Sequence, residues 1–192
     1  MVRIPSFCAG ELFFYSLRRI FVRVIPINSN FRIDTDLLQL KFEQGVKPGF
    51  FLRSRTGTVT IVYPPGVRFE TQRMQQWLHR VVMEALRVQA KALLPGRLAD
   101  YAIRHGFSYQ RVTIKNMRTR WGSCSSRGNI NLSLYLLFFP SRLVDYVLLH
   151  ELCHTREMNH GPRFWALLDT LTDGQAKALR AELRESARRL AE

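Results

Sequence analysis

His150-Glu151-Leu152-Cys153-His154 follows the pattern H-E-x-x-H. On a helix, side chains four residues apart lie one turn apart on the same face, so both imidazoles can reach one cation at about 2.0–2.1 Å. Glu151 neighbours the first imidazole and points beside the metal, where it can hold a metal-bound water and take its proton. His160, six residues beyond His154, is the candidate third ligand once the chain has turned back at Met158-Asn159. Three imidazoles leave one coordination position open for water, which is the catalytic and not the structural arrangement of zinc. Bound Zn²⁺ brings the pKa of that water from 15.7 down to about 7. Mn²⁺, Co²⁺ or Ni²⁺ would also accept three imidazoles, so Zn²⁺ is the expected cofactor on ligand type and not by exclusion. The bland alternative is two surface histidines with a third nearby. Cys153, between the two ligands, reads as a small apolar filler and not as a nucleophile.

These side chains need elements to hold them. Ser141 after Pro140 reads as an N-cap, and Leu143, Val144, Val147 and Leu148 begin an apolar face that carries the H-E-x-x-H helix to about Glu157. Gly161-Pro162 starts another helix with Phe164, Trp165, Leu167 and Leu168, stopped by Thr172-Asp173-Gly174, and a charged amphipathic helix follows. Phe164 and Trp165 read as anchors that pin His160. Upstream, Glu70 to Leu94 carries Met74, Trp77, Val81, Ala85 and Val88 at helical spacing until Pro95-Gly96, and a shorter helix is expected from Arg97 to His105 with Gly106 as its cap. His79 and His105 stand alone in these helices. Strand-like alternation covers Leu17 to Ile33, with a turn at Asn28-Ser29-Asn30, and a β-branched run covers Thr56 to Tyr63. Arg111 to Met117 and Asn129 to Leu134 read as strands joined as a long hairpin through Ser123–Gly128. The expectation is an α+β chain: a β-rich part over residues 1–68 and a catalytic part over 69–192, in one continuous domain.

Composition limits the alternatives. The chain has 192 residues, 46% hydrophobic and 23% charged, which excludes global disorder. Its three cysteines, Cys8, Cys124 and Cys153, do not make a disulfide scaffold, so a cytoplasmic location is expected. Pro5, Glu11 and the lack of a small-residue cleavage site argue against a signal peptide, and no apolar run reaches the length of about eighteen residues that a membrane span needs. The net charge is +14, and the excess lies before His150, since residues 150–192 carry seven basic and seven acidic groups. Of the 29 cations, 24 are arginine, which suits carboxylate and phosphate partners.

Residues 118–165 closely resemble the YgjP-like metal-dependent hydrolase (metallopeptidase-like) family, which is related to the SprT-like and WLM zinc peptidases. The resemblance rests on Arg118-Thr-Arg-Trp-Gly-Ser-Cys-Ser-Ser126, the helix ending in His150-Glu-Leu-Cys-His154, and Asn159-His160-Gly-Pro-Arg-Phe-Trp165, in that order. It implies a zincin fold, with a twisted sheet packed on the active-site helix. It also implies zinc ligation by His150, His154 and His160, with Glu151 as general base. The chain departs from the metzincins, which carry glycine where Glu157 stands, and Gly161 replaces a serine frequent in the YgjP-like pattern.

Two further residues are candidates for substrate contact. Arg120 can steady a developing oxyanion or a phosphate, or simply face solvent, and Trp121-Gly122 can bring backbone close to the metal helix. Asn159 can orient a ligand or merely end the helix. The expected activity is zinc-dependent hydrolysis of a peptide or amide. Hydrolysis of a nucleoside triphosphate at a phosphoanhydride is the alternative, motivated by the arginines, although no Walker-type loop is present. A DNA-associated protease using the basic surface for nucleic-acid contact is a third reading, without a zinc finger or helix-turn-helix to support it.

Overall fold

The computed structural model describes residues 26–117 and 119–190. The expected strand alternation of Ile20, Val22 and Val24, and the side chains of Cys8 and Arg118, lie outside these residues. Among the described residues, two small sheets and four α-helices form a mixed α/β structure. The first sheet runs β1 (Ile33–Asp34), β2 (Gln39–Gln44), β4 (Thr58–Tyr63), β3 (Phe51–Arg55), with β2 and β4 parallel and the outer pairs antiparallel. Between Arg55 and Thr58 the chain turns through Gly57 at φ 79°, a left-handed conformation that glycine adopts without strain. Leu40, Phe42, Val59 and Ile61, at alternate positions, are buried.

Helix α1 (Gln72–His105) is continuous for 34 residues. The expected break at Pro95-Gly96 does not occur. Proline removes the hydrogen bond to the carbonyl four residues back, here that of Lys91, an exposed residue. Meanwhile the buried stripe of Leu78, Val82, Leu86, Ala90, Leu94, Leu98 and Ala102 runs on through the proline, so tertiary burial keeps the helix continuous across a weak point. That stripe is displaced from the expected one, since Val88 is 52% exposed. Gly106 does cap the helix, in the left-handed conformation. Two glutamines of α1 fasten neighbouring backbone. Buried Gln89 accepts from the Gly57 N–H (2.8 Å) and donates to the Arg55 carbonyl (2.9 Å), while Gln75 exchanges two hydrogen bonds with Ile27.

The second sheet has the order β5 (Arg111–Lys115), β7 (Asn129–Ser133), β6 (Gly122–Cys124). Here the expected hairpin is corrected. β5 and β7 pair parallel, and the antiparallel partner of β7 is the three-residue β6. The tight turn is Ser125–Gly128, where the Gly128 N–H donates to Ser125 and Gly128 takes φ 72°. Gly-Ser-Cys is too short and too weakly β-prone to announce a strand. A 3-10 turn, Leu134–Phe138, leads to α2 (Ser141–Cys153), followed by α3 (Pro162–Leu171) and α4 (Ala176–Arg189).

α2 is buried nearly all round, from Leu143 to Cys153 with only Asp145 partly open. Ser141 is its first helical residue and not its cap. The Ser141 N–H is satisfied by the Asp36 carboxylate at 2.8 Å, a cap delivered from the N-terminal part of the chain. Asp145 is held by a bidentate ion pair with Arg97 of α1. The helix stops at Cys153 instead of Glu157: Thr155 turns its hydroxyl back to the Leu152 carbonyl (2.8 Å), and Arg156 reaches the Gly106 carbonyl at the end of α1 (2.5 Å). No helix among the described residues is long and apolar enough to cross a membrane.

Candidate metal centre

α2 presents His150 and His154 on one face, as their spacing requires, and the turn 154–161 returns the chain so that His160 meets them before α3 begins. The Nε2 atoms converge: His150 to His154 is 3.2 Å and His150 to His160 is 3.0 Å. Two nitrogens sharing one tetrahedral ion at about 2.0–2.1 Å stand roughly 3.3 Å apart, so this spacing suits a shared cation. Among the described residues, these three form a group that could hold a metal ion.

The surroundings prepare the rings for that role. His154 Nδ1 lies 3.1 Å from the Glu157 carbonyl oxygen, which can only accept, so Nδ1 carries the proton and Nε2 presents its lone pair to the cluster. Glu157 is itself tied to Arg163 at 3.3 Å. Phe164, fully buried, lies 4.9, 4.6 and 4.6 Å from the rings of His150, His154 and His160, forming an apolar floor under all three. Burial is the leading reason that all three imidazoles resist protonation. His150 is held well below the usual histidine range by burial and by its two neighbours, His154 is lowered, and His160 is lowered to about 4. Neutral imidazoles are the form that binds a metal.

Glu151 is 2% exposed, and its Oε2 has no hydrogen-bond partner among the described residues. Burial raises its pKa to about 8, while the Arg120 guanidinium pulls in the opposite direction. Gly122 of β6 packs on this carboxylate so closely that a Cβ there would lie 2.4 Å from Oε1 and 2.6 Å from Cγ. The close approach of the Trp121-Gly122 backbone to the metal helix is thus realised. Trp121 is its buried anchor, edge-on to Phe139 at 4.6 Å. Cys124, at the far end of β6, is half-buried with its thiol pushed up to about 11, and Cys153 is buried with its thiol pushed up to about 12, in both cases chiefly by burial. Neither is poised as a nucleophile.

Arg120 is exposed, at the approach to β6, and its charge reaches Glu151. Asn159 is also exposed; its backbone carbonyl accepts from the Gly161 N–H at 2.8 Å, closing a turn around His160. The structure therefore brings the three histidines and Glu151 together, with Arg120 and Asn159 at the rim. A residue that motif reading overlooks is Arg180 of α4, whose charge reaches His150 and His160. Its signal in the sequence is an arginine inside the buried stripe of Ala176, Leu179, Leu183 and Ala187. A separate cavity of about 630 Å³, bordered by Phe31, Gln76, His79, Met83 and Phe138, includes none of the three histidines.

Comparison with curated proteins and with solved structures returns no match. The family model of the YgjP-like metallopeptidase domain matches residues 46–186, from the loop after β2 through most of α4, which reaches well beyond the 118–165 motif. By that match over most of its length, this chain belongs to the YgjP-like metallopeptidase family.

Proposed function

We propose that this protein is a zinc-dependent hydrolase with a zincin-like active-site helix, acting on a peptide or amide bond. The observation that carries the reading is the approach of the His154 and His160 imidazole nitrogens to 3.2 and 3.0 Å from that of His150, beside a buried carboxylate. His150, His154 and His160 would hold the cation, which would supply Lewis acidity and lower the pKa of water. The remaining work falls to the chain. Glu151 accepts the proton of the attacking water, and the Gly122 backbone fixes the carboxylate against α2. A buried carboxyl with pKa near 8 ionises more readily beside a dication, which brings its basicity into the range useful at neutral pH. Arg120 steadies the negative charge that develops on the substrate oxygen, and Asn159 orients the bound group from the rim. The free thiols of Cys124 and Cys153 support a cytoplasmic location.

A second reading, phosphoanhydride hydrolysis of a nucleoside triphosphate, draws on the two arginines, Arg120 and Arg180, whose charges reach the site. One assay separates the two. Purified protein is offered casein and nucleoside triphosphates, with and without chelator. Chelator-sensitive turnover of casein, reduced about 10²- to 10⁴-fold in Glu151→Gln, supports the peptidase. Turnover of triphosphates alone supports the second reading, and full activity of Glu151→Gln on either substrate removes Glu151 as the base.

A further inference from the structure

His154 and His160 are joined by residues 155–159, and this short segment is tied to the end of a distant element. The Arg156 guanidinium crosses to the C-terminus of α1. There its Nη2 donates to the Gly106 carbonyl at 2.5 Å and to the His105 carbonyl at 3.4 Å. It also lies 4.1 Å from the ring centre of Phe107, which is buried. The last carbonyls of a helix lack an intrahelical partner and carry the negative end of its dipole, so a guanidinium complements them. Donated bonds together with an aromatic face hold the flat cation in one orientation. The far end of this link is firm, because Leu94, Leu98, Ala102 and Phe107 all belong to the core.

The near end carries the geometry of two ligands. The residue after Arg156 presents the Glu157 carbonyl, which accepts from His154 Nδ1 at 3.1 Å and so orients that ring. Three residues further on, the segment delivers His160 Nε2 to 3.0 Å from that of His150, beside 3.2 Å for His154. Backbone bonds from the Thr155, Arg156 and Glu157 N–H groups to the Leu152 and Cys153 carbonyls hold the start of the segment to α2. The Glu157 side chain adds an ion pair to Arg163 at 3.3 Å, but the Arg163 side chain is 86% exposed and holds weakly. We propose that Arg156 is a positioning residue: by fastening the segment between the second and third histidines to the C-terminus of α1, it keeps His154 and His160 at the separation from His150 at which one cation is shared. This rests on the metal-centre reading above, and it makes the end of α1 a support of that centre.

The test uses the full chain as wild type, Arg156→Gln and Arg156→Lys. Zinc affinity is measured by competition with a chromophoric chelator, alongside the visible absorption of the cobalt-loaded protein and the Tm of the metal-free protein. Arg156→Gln is expected to bind zinc roughly 10- to 100-fold more weakly, the usual effect of losing a group that orients a metal ligand. Its cobalt band should lose intensity, because a loosened imidazole admits further water and takes the site away from four-coordination. Its metal-free Tm should stay within about 2 °C of wild type, since Arg156 is exposed. Arg156→Lys keeps the charge and a donor but not the flat face against Phe107, and should fall roughly 3- to 10-fold below wild type. Unchanged zinc affinity in Arg156→Gln overturns the proposal, because the backbone bonds of the segment then suffice. A metal-free Tm lower by more than about 4 °C with an unaltered cobalt band also overturns it, since that marks a purely structural role. If Arg156→Gln does not fold, Arg156→Lys decides: zinc weaker by about threefold or more supports the proposal, and wild-type affinity overturns it. A wild type that binds neither zinc nor cobalt overturns the metal-centre reading itself and this inference with it, a result distinct from any difference between the variants.

Discussion

At the scale of the residue, burial dominates the chemistry of the site. Glu151 and the imidazoles are pushed in opposite directions by the same cause, because removal from water penalises whichever form is charged. The consequences for stability have opposite signs. The histidine contribution is present above pH 6.5 and is lost as pH falls, for His160 through about 4. The Glu151 contribution is present below pH 4.5 and is lost as pH rises through about 8, where folding must bury an anion. Glu151→Gln mimics the protonated acid, so in chelator it should stabilise the protein relative to wild type at pH 9 more than at pH 5. The difference should be on the order of 2–4 kcal/mol by thermal or urea unfolding, and an offset that does not grow with pH would contradict it. The shared face of His150 and His154 was readable in the sequence because i, i+4 spacing on a helix is a geometric constraint. Arg180 was not, because its effect on the imidazoles depends on how α4 docks and not on any spacing along the chain.

At the scale of the element, β6 and α2 are coupled through one glycine. Gly122→Ala would drive a methyl into Cγ, Cδ and Oε1 of Glu151, and that carboxylate sits in a buried slot with nowhere to retreat. The variant should keep its metal and lose most of its turnover, since none of the three histidines is among the atoms that close on the added methyl. Loss of metal along with activity would place Gly122 in a different role. At its other end, α2 depends on Asp36, a residue that lies outside the helix by more than a hundred positions. Asp36→Ala should cost about 1 kcal/mol, seen as a fall in Tm of about 2–4 °C, with metal affinity unchanged; no change in Tm would mean that water replaces the cap. Such long-range caps, the parallel pairing of β5 with β7, and the uninterrupted passage of α1 through Pro95 all escape local pattern reading. Each is decided by what packs against the element, whereas Gly106, Pro162 and Thr172-Asp173-Gly174 act locally and marked their boundaries in the sequence.

For the molecule as a whole, the buried side chains from Ile27 to Ala187 form one cluster that includes Leu149, Leu152 and Cys153 of α2. The floor of the site, Phe164, belongs to that core, so the site is supported by the same packing that stabilises the fold. The family match beginning at residue 46 takes in the β3–β4 hairpin and α1 as well as the segment that carries the three histidines. Total charge spoke less clearly than the motif: +14 is a property of the surface, while the three converging histidines and Glu151 lie in a segment of balanced charge from His150 onward. The most direct test is the zinc content of purified wild type and His154→Ala, measured by plasma spectrometry after exhaustive dialysis. One zinc per wild-type chain and almost none in the variant is the predicted result; equal zinc in both would contradict a centre built from these three histidines.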